Sequence, residues 1–199
     1  LGVLFFSWEL VGLNSYLLIC FWRERQQSLR SGFKAVLYNK IGDVYLFIAI
    51  GCTFEIIKTF DLDLSSLLLP YFKDYKERGI PFSIHIFDVT WYALIIAAFT
   101  KSAQWIFSGW LTEAMGAPTP VSALLHAATM VTAGNFLLLR GSALWTYDIC
   151  FNYLVPAIGG LTALSAGIAA SIQSDKKKII GYSTTSQLGY ICLSCGISN

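Results

Sequence analysis

"VTWYALIIAAFTKSAQWIFSGWLT" runs from Val89 to Thr112, and Lys101 is the only charged residue in it. An apolar run of about 20 residues is what an α-helix needs to cross a bilayer. A charged side chain at the centre of such a helix costs about 2.5–3.5 kcal/mol on insertion scales, so it normally faces a partner or water. Lys101 has no oppositely charged neighbour within ten residues, which sends the search for a partner to other helices.

The rest of the chain has the same character. Of its 199 residues 55% are hydrophobic and only 13% charged, and mean hydropathy is +0.59. So few charges cannot clothe a soluble surface, which puts the chain in the membrane class. Six apolar segments are candidate spans: 1–22, 35–57, 84–104, 118–139, 150–172 and 179–197. None alternates as the short strands of an outer-membrane barrel do. The expected fold is therefore all-α and transmembrane, a single polytopic bundle of about six spans over 1–199, with a solvated loop at 58–83. The chain opens and closes in apolar sequence, which reads as a piece of a larger membrane protein.

With six spans, connections 23–34, 105–117 and 173–178 share one side, where seven basic residues face three acidic ones. Segments 58–83 and 140–149 balance at five of each. The first side is expected to face the matrix or cytoplasm. A net charge of +2 gives no footing for nucleic acid. Five cysteines, four of them in apolar runs, read as buried thiols, and Cys192-x-x-Cys195 has neither a second pair nor a nearby histidine to make a metal site. No metal, cofactor-binding or phosphate-loop motif is present in the sequence.

Downstream of Lys101, Gly109, Gly116, Pro118 and Pro120 predict a helix broken near 101–118. Non-helical backbone at membrane depth is tolerated only where protein or a wet cavity satisfies it. Glu9 lies mid-run in "VLFFSWELVGL", either as half of a structural ion pair or as a proton-carrying group. Lys40 and Asp43, three apart, share a helix face and can pair with each other or anchor an interface, and Lys40 is a candidate counter-ion for Glu9. Burial of an ammonium favours its neutral form, so a buried lysine can load and release a proton, whereas a snorkelling one cannot serve that way. His126, among apolar and small residues, is either a hydrogen-bonded packing residue or a relay group. Carboxylate, lysine and histidine on three spans of one bundle are what a proton relay requires.

Four blocks, "SWELVGLNSYLLICFW" (7–22), "NKIGD" (39–43), "PTPVSALLHAATMVTAG" (118–134, preceded by "KSAQ" at 101–104) and "DKKKIIGYSTTSQLGY" (175–190), closely resemble the chain-5 family of respiratory complex I, NADH:ubiquinone oxidoreductase. The resemblance implies an antiporter-like subunit, of which this chain covers helices five to ten. It matches Glu9 to the family's fifth-helix glutamate, Lys40 and Asp43 to the sixth-helix basic–acidic pair, Lys101 to the lysine of the broken seventh helix and His126 to the eighth-helix histidine. Glu9 and Lys101 would then form a charge pair whose opening changes the lysine's proton affinity, with His126 passing the proton on. Lys177 and Lys178 would be matrix-side site candidates. FMN, iron–sulfur clusters and ubiquinone would sit in other subunits and none in this chain. The implied partners are other membrane-arm subunits, including chains supplying the missing helices, and the lipid bilayer. The implied location is the mitochondrial inner membrane, with a bacterial plasma membrane as the other setting.

The family pattern has Pro, His, Pro and Glu where this chain has Ile106, Ser108, Thr112 and Gly116. Two other readings remain. One is the large subunit of a multisubunit Na⁺/H⁺ antiporter, a family that tends to carry lysine where this chain has Thr132. The other is a structural fragment of the membrane arm that does not pump.

Overall fold

The computed structural model describes residues 1–57, 81–124, 129–141 and 149–197, and every regular element among them is helical. In chain order these are α1 (Gly2–Ile19), α2 (Gln26–Ile57), α3 (Pro81–Lys101), a 3₁₀ turn (Trp105–Phe107), α4 (Gly109–Ala114), α5 (Thr119–Ala123), α6 (Thr132–Arg140), α7 (Ile149–Ile172) and α8 (Lys176–Ile197). The polytopic helical architecture and the break after Lys101 agree with the sequence expectation. Among the described residues, Gly2–Ile19, Gln26–Glu55 and Phe151–Ile172 are long and apolar enough to cross a membrane. Helix α8 has the length but carries Lys176–Lys178 at its start and the polar run Ser183–Ser186. The expected span 118–139 falls on α5 and α6, with 125–128 outside the described residues, as is most of the 58–83 loop.

One boundary differs in a way that matters. The stretch 23–34 reads as a connection, yet α2 begins at Gln26 and runs 32 residues, about 48 Å at 1.5 Å per residue. The turn between α1 and α2 is therefore short, and it closes by local bonds. Ser28 Oγ donates to the Ile19 carbonyl at 2.7 Å, satisfying an oxygen at the end of α1. The Arg25 guanidinium lies 5.3 Å from the centre of the Trp22 ring, a cation–π contact that fits an interfacial turn.

Helix α2 packs against α1, α3 and α4, while α3 also meets α6. This half buries Trp8, Leu46, Ala49, Leu94, Ala97, Ala98 and Phe99. The second half is the α7–α8 pair, where backbones approach without a side-chain layer between them. A Cβ built on Gly189 would stand 2.7 Å from Ala163 N and Gly159 O, and one on Gly159 would stand 2.6 Å from Leu193 N. Small residues permit such approach in membranes, where packing and hydrogen bonds drive helix association. Ser186 Oγ adds a bond to the Ala163 carbonyl at 2.9 Å, and the buried Cys192 thiol donates to Val155 O at 3.6 Å.

Two glycine substitutions should thus have opposite effects. Gly189→Ala forces backbone apart and should lower stability by about 1–3 kcal/mol. Gly167→Ala meets only Ser186 Oγ at 3.8 Å and should be neutral or stabilising by up to about 1 kcal/mol, since glycine weakens a helix interior. Thermal unfolding of the detergent-solubilised protein measures both.

Candidate functional site: a charge ladder ending at a buried lysine

The break after α3 leaves carbonyls and amides without helical partners, and nearby groups take them up. Ser102 N and Oγ both donate to Ala98 O, at 2.9 and 2.7 Å. Gln104 N donates to Phe99 O at 3.0 Å, and the fully buried Trp110 Nε1 donates to Thr100 O at 3.1 Å. Trp105 N donates to Thr162 Oγ1 of α7, also at 3.0 Å. Ala103 takes a left-handed φ of 49°, which turns the chain out of α3 without a proline or glycine at that position. Pro118 and Pro120 come later, at the start of α5.

Lys101 is the last residue of α3 and is 1% exposed. Its Nζ stands 3.7 Å from Asp43 Oδ1, donates to the Trp8 carbonyl at 3.2 Å and lies 5.0 Å from the centre of the Trp8 ring. Asp43, 4% exposed, is also 3.6 Å from Lys40 Nζ through its other oxygen. Lys40 in turn bonds Glu9 Oε2 at 2.5 Å. The four groups form a ladder of alternating charge, Glu9–Lys40–Asp43–Lys101, drawn from three helices. Its outer end is partly open, with Glu9 and Lys40 side chains 31% and 56% exposed, and its inner end is closed.

The expected direct Glu9–Lys101 contact is not among the ion pairs of the described residues, where Lys40 and Asp43 stand between the two. Helix α2 lies between α1 and α3 in the packing, so its i,i+3 pair takes both partners: Lys40 meets Glu9, and Asp43 meets Lys101. Gly12 keeps α1 close at this point, since a Cβ there would sit 3.3 Å from Lys101 Nζ. A cavity of about 440 Å³ between α1 and α2 is lined by Glu9, Gly12, Tyr16, Asn39, Lys40 and Asp43 among apolar side chains.

His126 lies outside the described residues, so its distance to Lys101 is not part of the geometry. Lys177 Nζ donates to Ala117 O at 3.1 Å, tying the start of α8 to the turn before α5. Lys178 is 4.0 Å from Asp175 on the exposed surface. Neither belongs to the ladder. Two buried groups that sequence reasoning missed sit at it, Trp8 and Asn39, and a third, Gln104, is buried past the break after α3. Among the described residues, Asn39 Oδ1, Gln104 Oε1 and Asn135 Oδ1 are buried without a hydrogen-bond partner. Trp8 stands beside Glu9 in sequence, but its contribution runs partly through its carbonyl, which no residue type advertises. Asn39 adjoins Lys40, and its polarity inside a buried face was the available signal.

All of residues 1–199 match the family described as NADH:quinone oxidoreductase/Mrp antiporter, TM. The chain belongs to this family. Among curated relatives, it is 45% identical over 197 residues to NADH-ubiquinone oxidoreductase chain 5 of Acanthamoeba castellanii, covering 98% of this chain and 29% of that protein. It is 43% identical over 195 residues to NADH-quinone oxidoreductase subunit L of Rickettsia bellii (strain RML369-C), covering 98% of this chain and 30% of the relative. Among solved structures, the Mrp complex from Dietzia sp. DQ12-45-1b superposes with a TM-score of 0.86 at 34% identity, over 100% of this chain and 21% of the matched chain. The chain thus spans about 30% of the length of the curated relatives it matches. The fold of this member is therefore the antiporter-like transmembrane fold, with the charge ladder in its first three helices.

Removing one partner of a buried pair strands the other. Asp43→Asn should destabilise the solubilised protein by about 3–5 kcal/mol, and Glu9→Gln, at the half-open end, by no more than about 1 kcal/mol. The double variant Asp43→Asn/Lys101→Met should recover most of the loss, as read from thermal midpoints.

Proposed function

We propose that this chain is the proton-relaying portion of an antiporter-like membrane subunit of an NADH:quinone oxidoreductase. The observation that carries the reading is a fully buried lysine held by a buried aspartate at a helix break, with a second ion pair in series behind it. Similarity at 45% to a chain 5 and at 43% to a subunit L supports the complex I assignment. The relatives from eukaryotes support the mitochondrial inner membrane as the location. All six expected spans, including 118–139 and 179–197, belong to this reading.

The ladder works as a two-position charge device. Lys40 bonds Glu9 and also faces Asp43 at 3.6 Å, so a short swing moves its charge between the two carboxylates. With Lys40 on Glu9, the charge of Asp43 is available to Lys101, which holds its proton. With Lys40 on Asp43, that charge is shared and the buried ammonium is left undercompensated. Lys101 then gives one proton to the imidazole of His126 and becomes a neutral amine; reloading from the matrix side restores it. The unpartnered Asn39 Oδ1, in the cavity lining beside Lys40 and Asp43, suits bound water, which buried polar groups recruit when protein does not satisfy them. Moving one charge against 100 mV needs about 2.3 kcal/mol, and a two-unit change in a proton affinity supplies about 2.7 kcal/mol. The device is of the required size.

In this reading NADH oxidation, FMN, the iron–sulfur clusters and ubiquinone belong to other subunits, and this chain contributes no redox step. Its partners are the other membrane-arm subunits and whatever polypeptide supplies the remaining helices of the subunit. A second reading, the large subunit of a multisubunit Na⁺/H⁺ antiporter, is supported by the match to the Dietzia Mrp complex. Rotenone-sensitive NADH oxidation by the purified assembly would exclude it.

The direct test is Lys101→Ala in the intact complex in native membranes. Protons moved per NADH oxidised should fall to a small fraction of the wild-type ratio. An unchanged ratio would overturn the relay and leave a structural, non-pumping role.

A further inference from the structure

Between Lys101 and Arg140 the chain carries a single formally charged side chain, Glu113. It lies on α4 and forms an ion pair with Lys34 of α2. Helix α4 has six residues, too few to be stable alone, and lies between the 3₁₀ turn with Ser108 on one side and the non-helical stretch 115–118 on the other. Trp110, Leu111 and Ala114 are its buried anchors, and the ion pair is its charged link to α2. Lys34 stands nine residues before Asp43 on the same continuous helix, about 14 Å along its axis. Helix α2 therefore presents three charged residues to three elements: Lys34 to α4, Lys40 to α1 and Asp43 to α3.

We propose that the Lys34–Glu113 pair is a positioning latch, holding the broken segment on α2 and thereby setting the contact between Lys101 and Asp43. The connection is short. Lys101 ends α3, and twelve residues later Glu113 fastens the same segment back to the helix that carries Asp43. Trp110 Nε1 bonds the carbonyl of Thr100, so displacement of α4 pulls directly on the last turn of α3. Both latch side chains are partly exposed, at 39% and 48%, and such pairs are weak enough to open reversibly. A latch of this strength can hold one arrangement and still release it within a working cycle.

The inference rests on the relay reading above, and its test separates the two. In native membranes, the intact complex carrying Glu113→Gln or Lys34→Gln should assemble normally and oxidise NADH with an artificial acceptor at the wild-type rate. Protons moved per NADH should fall roughly twofold to fivefold, the range one partly exposed ion pair supplies. Glu113→Asp and the swap Lys34→Glu/Glu113→Lys should each recover at least half of that loss, which a purely bulk-packing role would not produce. If either single variant fails to assemble, the swap, which keeps both charges, decides alone. A swap no better than the worse single variant overturns the latch. So do single variants at the wild-type ratio in membranes where Lys101→Ala lowers it. If Lys101→Ala also leaves the ratio unchanged, the relay reading has failed and the latch falls with it.

Discussion

The contact between Lys101 and Asp43 sets the terms for everything around it. An ammonium excluded from water at the end of a membrane helix is stable only while a carboxylate faces it, and a carboxylate so buried needs the ammonium in return. That mutual requirement fixes the rotation of α2 against α3 and brings α1 close enough for Trp8 to lend its carbonyl and ring. The break in the backbone belongs to the same constraint. Ending α3 at Lys101 sets that side chain at a terminus, where the released carbonyls are taken by Ser102, Gln104 and Trp110.

The ladder is graded rather than uniform. Its outer pair sees solvent and is cheap to rearrange, while its inner pair is closed and costly to disturb. A disturbance beginning at Glu9 therefore costs little where it starts and has most effect where it ends. In the proposed relay, such ordering would give the coupling a direction without any large movement of helices, because Lys40 alone spans the two carboxylates.

Much of this was legible in the sequence. Apolar run lengths gave the helical bundle, and Gly109, Gly116, Pro118 and Pro120 marked the interrupted region. Isolated charges in apolar runs singled out Glu9, Lys40, Asp43 and Lys101. The Lys40–Asp43 and Glu9–Lys40 pairings were legible from spacing and charge, whereas the Lys101–Asp43 contact was not, because it depends on which helix lies between which, and periodicity says nothing of that. Lys34 and Glu113 were read as loop charges contributing to orientation, since α2 gives no sign in sequence of beginning at Gln26. Trp8 was hidden for a different reason: a backbone carbonyl has no letter. The break itself rests on Ala103 with φ at 49°, a conformation that alanine does not announce.

The α7–α8 pair has a mechanical consequence. Where Gly159, Ala163 and Gly189 bring two backbones into contact, no intervening side chains exist that could change rotamer to absorb a displacement. The two helices accordingly respond to force as one stiff beam. Thr162, projecting from that beam, holds the amide of Trp105 just past the break. The unwound turn is thus mounted between a rigid rail on one side and the charge-bearing α2 on the other, and its freedom is that of a hinge with one fixed leaf.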